Sequence, residues 1–303
     1  WAQDYDVLMK YLSKEEVVTL EQIAATGVQW MKKKCMSKGY EHTNLQLGVL
    51  KCFLSNNVEK VKRDVFAQNQ LFSLSEEFID KEKLNKYVHS DKYTCGVLKK
   101  DSFQFHPLNF MKALAQDCIT LGGSIFENCK FINYQRNSGK IDASISNNNK
   151  MFNIQSEKIV FATGGYGGKE IKDLKNYWLP IKTFIGVTKP MGDELQSVLK
   201  KPLGFSDNRR AGNYYRVLPG NRLSWGRGIS AVGNYSRSSL KRVISKEISY
   251  FFPELKNIEI DYVWSGNMAY ASHYMPYVGA TRIGNEDKNV FTIMGFGGHG
   301  MNT

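Results

Sequence analysis

Three linked segments constrain the fold most: FHPLNFMKALAQDCITLGG at 105–123, SIFENCKFINYQ at 124–135 and SEKIVFATGG at 156–165. Pro107 suits a first helical turn, and Gly122-Gly123 suits a helix end, so 105–123 reads as a helix. Residues 124–135 read as a strand. Residues 136–150, RNSGKIDASISNNNK, read as a hairpin built on Asn137-Ser138-Gly139. The run 156–165 reads as a short buried strand that ends in glycines. Strands and a helix alternating in this way predict a mixed α/β chain with an α/β sheet core. At 303 residues the chain can bury a substantial core, in one large domain or two interleaved ones.

The flanking segments extend this pattern. Residues 14–37 read as a helix that starts at Ser13 with Glu15 and Glu16. Val17, Leu20, Ile23, Val28 and Met31 follow a helical period, and Gly39 stops it. LQLGVLKCFL at 45–54 reads as a strand with Gly48 as a bulge. Residues 56–70 and 76–87 read as polar helices. Strands or hairpins are expected at 182–194 and 213–235, and a serine-capped helix at 236–251. IEIDYVWSG at 258–266 reads as a strand, and NVFTIMGFGGHGMNT at 289–303 as a strand running into a glycine-rich turn.

Charge and cysteine usage narrow the partner classes. The net charge is +12, yet the lysines are spread along the chain and no block of five basic residues occurs. This favours a Lys- and Asn-rich surface over a nucleic-acid or membrane partner, and leaves attraction of an acidic substrate open. The five cysteines lack CxxC spacing and the five histidines lack metal-ligand spacing. No metal and no disulfide framework is therefore expected, and a reduced, cytoplasmic setting is the default. No run of about 18 apolar residues and no signal peptide is visible. Because the chain starts at Trp1 rather than Met, the natural start is expected upstream.

Two glycine clusters carry the chemical signal. Gly295-Phe296-Gly297-Gly298-His299-Gly300 formally matches GxGxxG, but only Met301, Asn302 and Thr303 follow it. A dinucleotide fingerprint needs a helix and a further strand after the glycines, so this is no Rossmann motif. A strand feeding bare backbone N–H groups into a turn suits instead the edge of a flavin, which gains negative charge on reduction. A plain tight turn is the alternative. Ala162-Thr163-Gly164-Gly165-Tyr166-Gly167-Gly168 follows an apolar strand and fits no P-loop. It reads equally as a cofactor approach or a strand-exit turn. His106 reads as a capping or packing residue, and His299 as the histidine more apt to approach a cofactor. Trp264, Tyr214, Tyr215, Tyr270 and Trp225 each read singly as core more often than site. Arg209, Arg210, Arg216, Arg222 and Arg227 cluster in sequence, and could bind a carboxylate or decorate a solvated hairpin. GxSxG and HExxH are absent, so hydrolytic and zinc chemistry have little support.

Four segments in order resemble the D-amino-acid oxidase-type FAD-dependent oxidoreductase family, with the gamma-glutamylputrescine oxidase-like branch the nearest. They are DSFQFHPLNFMKALAQDCITLGGSIFENCKF, KIVFATGGYGG, YYRVLPGNRLSWGRG, and DYVWSGNMAYASHYMPYVGATR with VFTIMGFGGHGMNT. The likeness spans about residues 100–303 and, more loosely, 10–54.

The resemblance implies an FAD-binding α/β domain of the glutathione-reductase type, interleaved with a substrate domain built on a large, mostly antiparallel sheet. The expected division is 1–44, 101–175 and 266–303 for FAD, and 45–100 and 176–265 for substrate. Residue by residue, it puts Phe131, Ala162, Thr163, Gly164, Gly165 and Tyr166 on the cofactor, with Gly295, Phe296, Gly297, Gly298, His299, Gly300 and Met301. It puts Tyr215 and Trp264 on the substrate side. The implied activity is oxidation of a C–N bond of an amine or amino acid, with oxygen or another acceptor reoxidising FAD and no obligatory side-chain base. Two departures stand out. The family's N-terminal nucleotide motif is absent, and no arginine follows Trp264 until Arg282. The second shifts the expected substrate toward a polyamine derivative or secondary amine. The alternatives are the flavin oxidase module of a tRNA-modifying enzyme, or a non-catalytic remnant of the fold.

Overall fold

A computed structural model describes residues 1–167, 177–230, 235–255, 257–281 and 289–300. The expectations on Gly168, Arg282 and Met301 lie outside these residues.

The helices begin where side chains satisfy their first N–H groups. α1 (Tyr5–Leu8) precedes α2 (Lys14–Cys35), whose Ser13 and Glu16 form a reciprocal capping box. β1 (Gln46–Phe53) shifts register between Leu47 and Val49, where Gly48 adopts φ 93°. The expected bulge is thus present. α3 (Val58–Phe72) starts on the Asn57 side chain. The helix expected over 76–87 is replaced by β2 (Glu77–Ile79) and the single turn α4 (Lys81–Leu84). Ile79 pairs across to Gly96, and the Asp80 side chain caps Lys83, so acidic and lysine content misled the helix reading.

β3 (Cys95–Gln104) leads to α5 (Pro107–Thr120), where His106 Nδ1 accepts the Asn109 N–H and so acts as the helix cap. β4 (Cys129–Asn137), β5 (Lys140–Asn147) and β6 (Lys150–Ser156) form a three-stranded antiparallel meander. β4 starts five residues later than expected for a strand from 124, after an exposed stretch. β7 spans only Ile159–Phe161, because Gly164 turns to φ 57° and residues 164–166 wind into a 3-10 turn.

β8 (Trp178–Thr188), α6 (Glu194–Val198), β9 (Gly204–Asp207), β10 (Tyr214–Leu218), β11 (Arg222–Ser230) and α7 (Arg237–Phe251) follow. β12 (Ile260–Ala271) outruns the expected 258–266, since its pairing with β8 continues to Ala271 and Trp178. β13 (Tyr277–Ala280) and β14 (Val290–Met294) complete the described order.

Eight strands form one sheet in the order β12-β8-β11-β10-β9-β1-β3-β2. All neighbours run antiparallel except β1 and β9. A second sheet, β13-β14-β7, contains the parallel pair β14–β7.

One face of the large sheet is closed. Phe205, Tyr215 and Trp225 stack in line across β9, β10 and β11, with centroid separations of 5.3 and 4.3 Å. Ile244, Ile248 and Phe251 of α7, with Phe252, seal this stack. Each such side chain contributes about 1.5–3 kcal/mol by leaving water. Gly186 lets α7 approach, since a β-carbon there would lie 2.8 Å from Ile244 Cδ1. A second core of Ile141, Phe161, Trp178, Ala269, Val290 and Met294 ties the meander, the parallel pair and the end of β12 together.

Candidate functional site

β7 and β14 lie side by side and parallel, with Thr292 opposite Phe161. Both strands therefore release the chain at the same edge, each through glycines. Ligands of α/β sheets bind outside such carboxyl ends. Gly295, Gly297 and Gly298 have φ of 83°, 57° and 86°, a region closed to most side chains. Thr163 Oγ1 reaches Met294 Sδ at 3.5 Å, bridging the two turns.

Both turns dock on one strand, β12. A β-carbon on Gly165 would fall 2.7 Å from the Asn267 carbonyl carbon, so only glycine permits this approach. The Asn267 N–H donates to the Tyr166 hydroxyl at 3.1 Å. The Gly297 N–H donates to the Ala269 carbonyl at 2.8 Å, and Phe296 bridges to Tyr270. Gly298 packs on Met268, whose Sδ would lie 2.6 Å from an added β-carbon. Its N–H meets no acceptor among the described residues, which leaves it available as a donor. His299 is half-buried. Burial, the leading cause, together with the Lys51 charge, holds its imidazole below the usual value, so it is neutral at neutral pH.

The second face of the large sheet continues from this point. Strand alternation and register define rows across it. Trp264, Ile185, Gly226, Tyr214 and Ser206 form one row. Tyr262, Val187, Ser224 and Arg216 form the next, and Gly266 with Thr183 lies on the other side. Trp264 is 49% exposed and Tyr214 43%. The Tyr214 hydroxyl sits 3.2 Å from Thr183 Oγ1, and burial raises its pKa.

The expectation for Tyr215 is corrected here. It is 3% exposed, its ring is sandwiched in the core, and its hydroxyl meets that of Tyr93 at 3.1 Å. It faces α7, and its neighbour Tyr214 takes the open face. Period-two alternation carried the signal, because Trp225 opposite Tyr215 marks the core side. Thr183, Asn267 and Met268 were also missed, having no motif of their own. Phe131 packs edge-on against Phe161 at 5.3 Å, one residue before exposed Ala162.

The arginine cluster separates. Arg209 pairs with Asp207 and Glu247, Arg222 with Asp261, and Arg227 with Glu247. Arg210 lies over the Tyr274 ring at 4.2 Å. Among the described residues no His, Cys, Asp and Glu group could hold a metal, and no helix is long and apolar enough to cross a membrane. A cavity of about 570 Å³ is lined by Trp30, Lys34, Leu114 and Asp117 of α2 and α5, which belong neither to this face nor to the glycine turns.

The glycine turns fit a flat, electron-accepting group such as a flavin. They offer close backbone approach, a spare N–H at Gly298, and a wall of Met268 and Tyr270.

The family described as FAD dependent oxidoreductase (DAO) matches the chain over residues 7–303. The chain is 28% identical over 227 residues to the probable oxidoreductase OrdL of Haemophilus influenzae, covering 73% of this chain and 49% of that protein. It is 25% identical over 227 residues to the gamma-glutamylputrescine oxidoreductase of Escherichia coli, covering 74% and 51%. The chain thus spans about half the length of the curated relatives it matches. Among solved structures it resembles glycine oxidase from Bacillus cereus, at TM-score 0.73 and 16% identity over 93% of this chain and 76% of that one. It also resembles L-proline dehydrogenase from P. horikoshii, at TM-score 0.71 and 18% identity over 92% and 74%. The architecture is therefore that of FAD-dependent oxidoreductases.

Proposed function

Because the chain belongs to the FAD dependent oxidoreductase family, we propose that it oxidises a C–N bond of an amine or amino acid, a polyamine derivative or secondary amine being favoured. The convergence of two glycine turns on β12, beside a sheet face that presents Trp264 and Tyr214, carries this reading. Gamma-glutamylputrescine oxidoreductase among the relatives and glycine oxidase among the structures support it.

Phe131, Ala162 to Tyr166 and Gly295 to Met301 would hold FAD, which when bound supplies the acceptor for a hydride equivalent. The chain's own contribution is placement. Gly298 would donate its N–H where negative charge develops. Trp264 and Tyr214 would orient the substrate and exclude water, with Tyr214 in the role first expected of Tyr215. Lys51 on the same face would disfavour the ammonium form of a bound amine. No side-chain base is assigned. Oxygen or another acceptor would then remove the electrons. The division into an FAD part (1–44, 101–175, 266–303) and a substrate part (45–100, 176–265) belongs to the same proposal.

Anaerobic mixing of the flavin-loaded protein with a panel of amines and amino acids tests the reading. Loss of the oxidised-flavin absorbance with at least one amine is expected. Retention of that absorbance with every member of the panel would sink it.

A further inference from the structure

Arg216 stands apart from the other four arginines of its cluster. It is half-buried, and among the described residues it has no acidic partner and no ring beneath it. Burial alone acts on its guanidinium, lowering its pKa. A desolvated guanidinium with no counter-charge is costly to keep, and its planar fork of donors suits a carboxylate.

Its place on the sheet says where that carboxylate would lie. Tyr215 and Val217 point into the core, so Arg216 shares the open face with Tyr214. Arg216 is opposite Ser224, Ser224 opposite Val187, and Val187 opposite Tyr262. The glycine turns dock lower on β12, at Asn267 to Tyr270. Tyr262 and Gly266 are four residues apart, about 13 Å along the strand. An α-carboxylate lies far closer than that to its own amino nitrogen.

Building on the amine-oxidation reading above, we infer that Arg216 binds an acidic group distant from the reacting C–N bond. The substrate class is then an extended amine carrying a remote carboxylate, not a simple α-amino acid. Tyr214 lies in the row between the two ends. Lys51, on the strand beyond Ser206, adds a second cation to the face and makes no ion pair among the described residues. Its ammonium lies 5.6 Å over the Phe53 ring. Arg216 is a specificity residue here, with no role in the chemical step.

The test uses the flavin-loaded protein and a matched pair, 6-(methylamino)hexanoate and N-methylhexylamine. Flavin reduction is expected to favour the acid by about 10- to 100-fold in kcat/KM, the value of one charge-assisted bidentate contact. Arg216→Met should collapse that preference toward one, mainly through KM, and Arg216→Lys should keep part of it. A direct titration of hexanoate, followed calorimetrically, should show the same order of affinities without any turnover. Equal handling of the pair by the parent protein, or equal hexanoate affinity in all three proteins, would overturn the inference. Failure of every amine to reduce the flavin, with hexanoate still binding through Arg216, would reject only the amine-oxidation reading.

Discussion

The phenol ring of Tyr214 stands over Gly226 so closely that a β-carbon on Gly226 would fall 2.0 Å from its Cε2. Gly226 has no positive φ, so alanine meets no backbone strain there. Gly226→Ala must instead push the ring off the sheet and away from Thr183. Thermal stability should change little, since the ring is near solvent. Substrate oxidation should fall by on the order of tenfold to a hundredfold in kcat/KM, as expected when a positioning group is displaced by an ångström or so. Steady-state kinetics beside a melting curve would check this, and unchanged kinetics would remove Tyr214 from the site.

Gly165→Ala tests a different kind of contact. The added β-carbon would meet the Asn267 carbonyl carbon and oxygen at 2.7 and 2.8 Å. Backbone cannot swing aside as a ring can, so the 162–167 turn must lift from β12. A loss of about 1–3 kcal/mol is expected, with weaker flavin retention. Denaturant unfolding and the flavin-to-protein absorbance ratio would measure both.

The strongest periodic and capping signals were legible from residue types alone. Ser13 with Glu16, His106 with Pro107, and Ser236 each start the helix expected of them. Local rules failed where tertiary pairing decided the outcome. The acidic, lysine-rich 76–87 segment lost its helix because Ile79 is drawn onto β3. β12 grew past Gly266 because β8 runs beside it to Trp178. The glycine clusters were legible as tight turns at the ends of buried strands, while residue types alone left cofactor approach and a plain turn both open. The choice between Tyr214 and Tyr215 needed the core side of the sheet, which one strand seen alone does not specify.

Asp207 anchors the loop that delivers Tyr214. Its side chain is fully buried and accepts from Arg209 Nη2 at 2.8 Å and from the Asn213 N–H at 3.0 Å. Asp207→Ala would leave the Arg209 guanidinium and a loop N–H without their acceptor. A cost of about 3 kcal/mol is expected from breaking a buried pair. Arg209 keeps Glu247 as a partner, which limits the loss. Equilibrium unfolding in urea would read it; a change under about 0.5 kcal/mol, typical of a surface site, would contradict the anchoring role.

The Tyr93–Tyr215 pair makes an alkaline limit to stability. Burial is the leading cause that pushes both phenols well above their ordinary value near 10. The folded protein therefore keeps them protonated while the unfolded chain ionises near pH 10. Above that pH the folded state binds more protons, so stability falls as pH rises. Each tyrosine contributes about 1.4 kcal/mol per pH unit in this window. Tyr5, Tyr40 and Cys52 are raised as well, so the wild-type slope sums several groups. The difference between wild type and Tyr215→Phe isolates one of them. Tyr215→Phe should be less stable near pH 8, having lost the hydroxyl contact to Tyr93. Between pH 10 and 12 its stability should decline less steeply, by about 1.4 kcal/mol per unit. Urea unfolding at half-unit pH steps would show the two curves converging. Parallel curves would mean that Tyr215 ionises alike in both states, and that the stacked core admits water.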